Sequence, residues 1–167
     1  MIETAMDAVN VRIAVEQVRK LSPEMPIIVS AVLSRLEGRV ASGATIAKFV
    51  EELPMEEIFS VGFNCSMGDK QQAAALKALS AVSNKPVVLY PVLSLPQEAP
   101  NRFIKPLDTL IRAGGVYIIG GCCGTTPAHI EALAKAAARW RPRNKELCYG
   151  FKAISSRAAS LSRTVVR

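Results

Sequence analysis

A chain of 167 residues and 18.0 kDa is long enough for one domain of ordinary size and too short for two. Half of it is apolar and 21% is charged, with 10 Gly and 10 Pro, a globular composition that excludes disorder, collagen and coiled coil. The formal charge of +7 is local, because residues 1–134 carry 12 Lys/Arg against 13 Asp/Glu, whereas residues 135–167 carry nine basic residues and the single acid Glu146.

A neutral body therefore ends in a basic tail. Its plain reading is a solvated helix face followed by a loosely ordered end. Only Tyr149 and Phe151 interleave aromatic rings with those charges, so nucleic acid is not the expected partner. The longest apolar stretches, residues 27–32 and 116–119, fall far short of the roughly 18 residues of a membrane span. Acids at Glu3 and Asp7 stand where an export leader would be basic and then apolar. A cytoplasmic protein with no membrane partner is expected.

In chain order, Val11, Val15 and Val18 share one face of a helix predicted over residues 7–20. Further helices are predicted over 45–53, 69–82, 105–113 and 126–140. Between them lie β-type runs at 27–33, 58–63, 86–90 and 116–120, spaced about 30 residues apart. These runs are almost continuously apolar, as in a parallel sheet covered on both faces. Asp69 is placed to cap the third helix, Gly114-Gly115 to end the fourth, and Thr126-Pro127 to start the fifth.

The count is an α(βα)₄ unit of four parallel strands and five helices within residues 1–140, followed by the basic tail at 141–167. A closed (β/α)₈ barrel takes at least about 200 residues. The α/β chain is therefore either a small open sheet or the C-terminal half of such a barrel. The start, where Met1-Ile2-Glu3-Thr4 runs straight into a helix, favours the half barrel. A half barrel exposes two strand edges, expected at 27–33 and 116–121, so association with another chain or with a separate N-terminal half is predicted.

Three of the four cysteines follow strands. Cys65 comes just after the second predicted strand, and Cys122 and Cys123 just after the fourth. In a parallel βα sheet such positions share the C-terminal rim, where these folds place their chemistry. Without an export signal the thiols are expected reduced. Three thiolates on one tetrahedral ion leave a fourth position for substrate, which suits zinc and an incoming sulfur, hence alkyl transfer to a thiol. Core packing and a redox pair are the alternatives that spacing leaves open. Residues Gly120 to Pro127 also read as a phosphate cradle at a helix start, although no Lys or Arg is positioned beside it. His129, the only histidine, reads as a surface or capping residue, and Cys148 is given no role.

Val61-Gly62-Phe63-Asn64-Cys65 looks like a Gly-x-Asn-Cys motif, and Gly120-Gly121-Cys122-Cys123-Gly124 like a Gly-Gly-Cys-Cys-Gly signature. With the opening Ile2-Glu3-Thr4, these resemble the homocysteine S-methyltransferase family, which includes the N-terminal domain of cobalamin-dependent methionine synthase and betaine-homocysteine methyltransferase. Gly38-Arg39 and Ser42-Gly43 lean toward the methionine synthase branch. The resemblance covers about residues 2–140 and implies a (β/α)₈ barrel with Cys65, Cys122 and Cys123 as zinc ligands and homocysteine sulfur as the fourth. It implies substrate-binding roles for Glu3, on the homocysteine ammonium, and for Asn64, beside Cys65. The methyl donor, methylcobalamin in that branch, would be carried by another domain or partner.

Three features depart from the family. Its Asp-Gly-x-Met-Gly loop has no counterpart, Pro91-Val92-Leu93-Ser94-Leu95-Pro96 replaces Pro-Asn-Ala-Gly-Leu-Pro, and the tail after Asn144 matches nothing in it. The implied reaction is methyl transfer to homocysteine giving methionine. A truncated zinc-binding fragment without turnover is the competing reading.

Overall fold

The computed structural model describes residues 1–36, 38–65, 69–93, 98–114 and 116–139. The tail at 141–167, with Cys148, and the Ser94-Leu95-Pro96 departure lie outside them. The element order is β1 (Ile2–Ala5), α1 (Ala8–Leu21), β2 (Ile28–Val32), α2 (Ile46–Glu52), a 3₁₀ turn (Met55–Glu57), β3 (Ser60–Asn64), α3 (Asp69–Val82), β4 (Val87–Tyr90), α4 (Pro100–Gly114), β5 (Val116–Ile119) and α5 (Pro127–Ala137).

All the strands are parallel and lie in chain order, β1 to β5. Sequential order with right-handed crossovers keeps every helix on the same face, and α1 to α5 each pack against the next. This is the arrangement of a partial (β/α)₈ barrel, not of a doubly wound sheet, whose strand order would reverse. The core is the layer between. Val29, Ala31, Val61, Phe63, Val87 and Leu89 from the sheet pack with Val11, Val15, Phe49, Leu76, Leu79, Phe103, Leu107 and Leu133 from the helices.

The sequence pattern shows four strands, and the described residues form five. Ile2–Ala5 escaped it because the segment does not alternate. Ile2 pairs with Val29 and Ala5 with Ala31, so three steps along β1 match two along β2, a β-bulge with one extra residue. Ile2 and Ala5 therefore both reach the helix layer while Glu3 and Thr4 are exposed. The open edges move accordingly. Residues 27–33 were expected at an edge, but β2 is paired on both sides, and the edges are β1 and β5. Helix α4 also starts earlier than the expected 105 and carries Pro106 inside it. A start at Pro100 lets Phe103, Leu107 and Leu110 form one buried stripe, a tertiary gain that outweighs a missing backbone donor. Among the described residues no helix is long and apolar enough to cross a membrane.

Candidate metal centre

The C-terminal ends of β1, β3, β4 and β5 meet at one rim. Cys65 leaves β3 with φ 50°, a left-handed turn unusual for a residue other than glycine, and its N–H donates to the Tyr90 carbonyl of β4 at 3.1 Å. On the far side of β4, the Cys122 N–H donates to the Pro91 carbonyl at 2.9 Å and Gly120 N–H to Leu89 at 3.1 Å. Strand β4 thus holds both cysteine-bearing loops by backbone bonds.

The three sulfurs converge. They lie within 4.8 Å of one another, with Cys65 and Cys122 half-buried and Cys123 exposed. Cys123 Sγ is 3.6 Å from Cys65 Sγ and 3.8 Å from Cys122 Sγ. A tetrahedral zinc with Zn–S bonds of about 2.3 Å spaces its sulfurs about 3.8 Å apart, so the separations around Cys123 already match such a site. Cys65 and Cys122 are joined as a disulfide with Cα atoms 5.9 Å apart, and Cys123 is the free thiol among the described residues. This differs from the expectation that all are reduced. The cause is placement, since a rim that brings three sulfurs toward one centre also brings two within bonding reach. The donor set is soft and thiol-rich, so in its reduced state it fits zinc, and none of the three described cysteines is buried in the core.

Asn64, immediately before Cys65, is fully buried at 0% exposure. Its Oδ1 accepts from the Thr4 N–H at 3.1 Å and from Ser30 Oγ at 2.9 Å, and its Nδ2 donates to Thr4 Oγ1 at 3.0 Å. Thr4 has φ 60°, costly for a β-branched residue at roughly 1–3 kcal/mol, and the bulge of β1 lies at this point. Glu3 projects from the same bulge. Burial, then the Glu3 carboxylate, push the Tyr90 phenol above its ordinary pKa. The Tyr90 ring also covers Gly120, where an added Cβ would lie 2.6 Å from the ring. Sequence reading missed Thr4, Ser30 and Tyr90. For Tyr90 the signal was available, since it ends a strand as Asn64 does.

The loop entering α5 is tied down from within. Thr125 N–H and Oγ1 both donate to the Cys122 carbonyl, at 3.1 and 2.7 Å, and Gly124 takes φ 83°, a conformation that favours glycine. His129 is buried, 4% exposed, so of the two expected places it takes the capping one. Its Nδ1 accepts from the Thr126 N–H at 3.2 Å, which puts its proton on Nε2, where it donates to the Glu98 carbonyl at 2.7 Å. The N–H groups of Gly120, Cys122, Thr125 and Thr126 are thus all committed within the protein. His129→Ala should lower stability by about 1–2 kcal/mol, a drop of about 3–6 °C in Tm by circular dichroism, and an unchanged Tm would deny this tie any weight.

The homocysteine S-methyltransferase family model matches residues 1–137. Among solved structures, the chain is similar to the Escherichia coli homocysteine methyltransferase MmuM in its oxidized form, with TM-score 0.67 and 26% identity over 80% of this chain and 44% of that one. The metallated form of MmuM gives TM-score 0.62 at 25% identity, covering 80% and 43%. Its apo form, at 24% identity and TM-score 0.59 over 80% and 48%, supports the fold alone. The chain thus spans less than half the length of these solved relatives. Its two cysteine motifs, its βα order and the extent of the family match place the chain in the homocysteine S-methyltransferase family.

Proposed function

We propose that this chain carries the thiol-activating part of a homocysteine S-methyltransferase, in which a methyl group passes to the sulfur of homocysteine and methionine is formed. The observation that carries the reading is the convergence of Cys65, Cys122 and Cys123 within 4.8 Å at the strand ends of a family member. In the reduced state these residues would hold zinc. Zinc, when bound, supplies Lewis acidity that keeps a substrate thiol deprotonated near neutral pH.

The chain's own residues do the rest. Three thiolates concentrate negative charge, so an incoming sulfur keeps its nucleophilicity. Glu3 offers a carboxylate for the substrate ammonium, and the Tyr90 ring over Gly120 walls the space between the two ends. The donor is a methylated cobalamin brought by another domain, and the missing strands of the barrel come from a further segment or chain along the β1 and β5 edges.

The test is methyl transfer to homocysteine by the reduced, zinc-loaded chain, assayed alone and after mixing with the N-terminal half of a relative's barrel, with methylcobalamin as donor. Methionine formed only in the mixture is the expected result. No methionine in either arm, with zinc bound throughout, would leave a zinc-binding fragment without turnover.

A further inference from the structure

We infer that Asn64 is a positioning residue that couples the amino-acid end of the site to its sulfur end, by clamping the strained bulge of β1 against the turn that presents Cys65. The inference rests on the homocysteine reading above. Four observations carry it. The Asn64 side chain is wholly buried, so it acts through protein groups and not by contact with a ligand in the rim. Both Thr4 groups, the N–H and Oγ1, are bonded to it, across 60 residues of sequence. Thr4 and Cys65, the residues on either end of this link, are the described non-glycine residues with positive φ, at 60° and 50°. Finally, the bulge is what turns Glu3 and Thr4 away from the helix layer together.

Backbone strain at Thr4 is what the clamp holds. A threonine left to itself leaves the left-handed region for an extended one, and an extended β1 without its extra residue would turn either Glu3 or Thr4 into the helix layer, so the two could no longer face the rim together. The amide of Asn64 opposes this by satisfying the backbone donor and the hydroxyl at once, a geometry that needs an acceptor and a donor on one short planar group. Ser30 Oγ donates to the same Oδ1 and fixes the amide from below. The distance between the carboxylate that takes an ammonium and the thiolates that face a sulfur is thereby set by one side chain. This selects an amino-acid thiol over a thiol of equal length without the amine.

The experiment uses the full reduced chain loaded with cobalt(II), whose thiolate absorption reports ligation. It is titrated with homocysteine and, separately, with 4-mercaptobutanoate. The wild-type chain should prefer homocysteine by tenfold or more. Asn64→Ala should bring the preference to within about twofold while the cobalt spectrum and stoichiometry before thiol addition are unchanged. Thr4→Gly, which tolerates φ 60° and keeps its N–H, should retain most of the preference. If Asn64→Ala fails to fold, Ser30→Ala serves, with the preference expected to fall about threefold. A preference that survives both Asn64→Ala and Ser30→Ala overturns the coupling and leaves the homocysteine reading standing. A cobalt spectrum lost along with the preference also overturns it, because Asn64 would then only support Cys65. A wild-type chain that binds cobalt but responds to neither thiol, or to both equally, sinks the homocysteine reading and the coupling together.

Discussion

Serine at Cys122 or Cys123 should remove stoichiometric zinc binding from the reduced chain. Structural zinc sites with four protein ligands bind with apparent free energies of about 10–16 kcal/mol, so one thiolate of such a set is worth about 3–4 kcal/mol, or roughly 10²–10³-fold in affinity. A site with three protein ligands starts weaker and has less to lose before it falls out of the useful range. The Cys123 sulfur already stands 3.6 and 3.8 Å from its neighbours, so once Cys65 and Cys122 are reduced and separate it is within reach of the same ion. Cys65→Ser should do the same from β3. Cys148→Ser should bind as the wild type does. Competition against a chromophoric chelator under reducing conditions measures this, and equal affinity in the Cys123→Ser and wild-type chains would dispose of the three-cysteine site. The ligands bind as thiolates, so each must shed its proton and affinity should fall steeply as pH is lowered.

Gly62→Val should prevent the chain from folding, and Gly62→Ala should cost at least about 3 kcal/mol, visible as a Tm drop of about 10 °C or more or as loss of soluble protein. Gly62 lies in the middle of β3, paired with Ser30 on one side and Val88 on the other. A Cβ added there would overlap the Val88 carbonyl, and its carbon and nitrogen would lie at 2.6 and 2.8 Å. These are backbone atoms of a central strand, fixed by the ladder, so they cannot yield as the tip of a side chain does. Normal stability in Gly62→Ala, measured by thermal or urea unfolding, would mean that β3 and β4 are not held at this distance. Because β3 ends in Asn64 and leads directly into Cys65, loss of this contact would also be read out as loss of zinc binding.

Much of the site was legible in the sequence. Cys65, Cys122 and Cys123 follow continuous apolar runs, and a parallel sheet sends all such positions to one rim whatever their separation along the chain. Their motifs named the family. The α/β class and five helices followed from the alternation of β-type runs with helical spacing. Strand β1 did not, because a four-residue strand with a bulge breaks the period-two pattern on which strand recognition depends. His129 could be read as a cap from Thr126-Pro127, but its burial against Phe103, with ring centroids 5.6 Å apart, depends on where α4 packs.

What the sequence by itself determined is chemistry and order: a neutral globular body, a basic tail, a βα succession, and which thiols stand at strand ends. Tertiary structure decided the distances and the couplings. That the Asn64 amide reaches Thr4, and that Cys65 is joined to Cys122 while Cys123 stays free, are contacts between segments remote in the chain. Such contacts are set by strand register and by a bulge of a single residue, and register is fixed by the packing of the whole sheet on its helices, which no local pattern encodes.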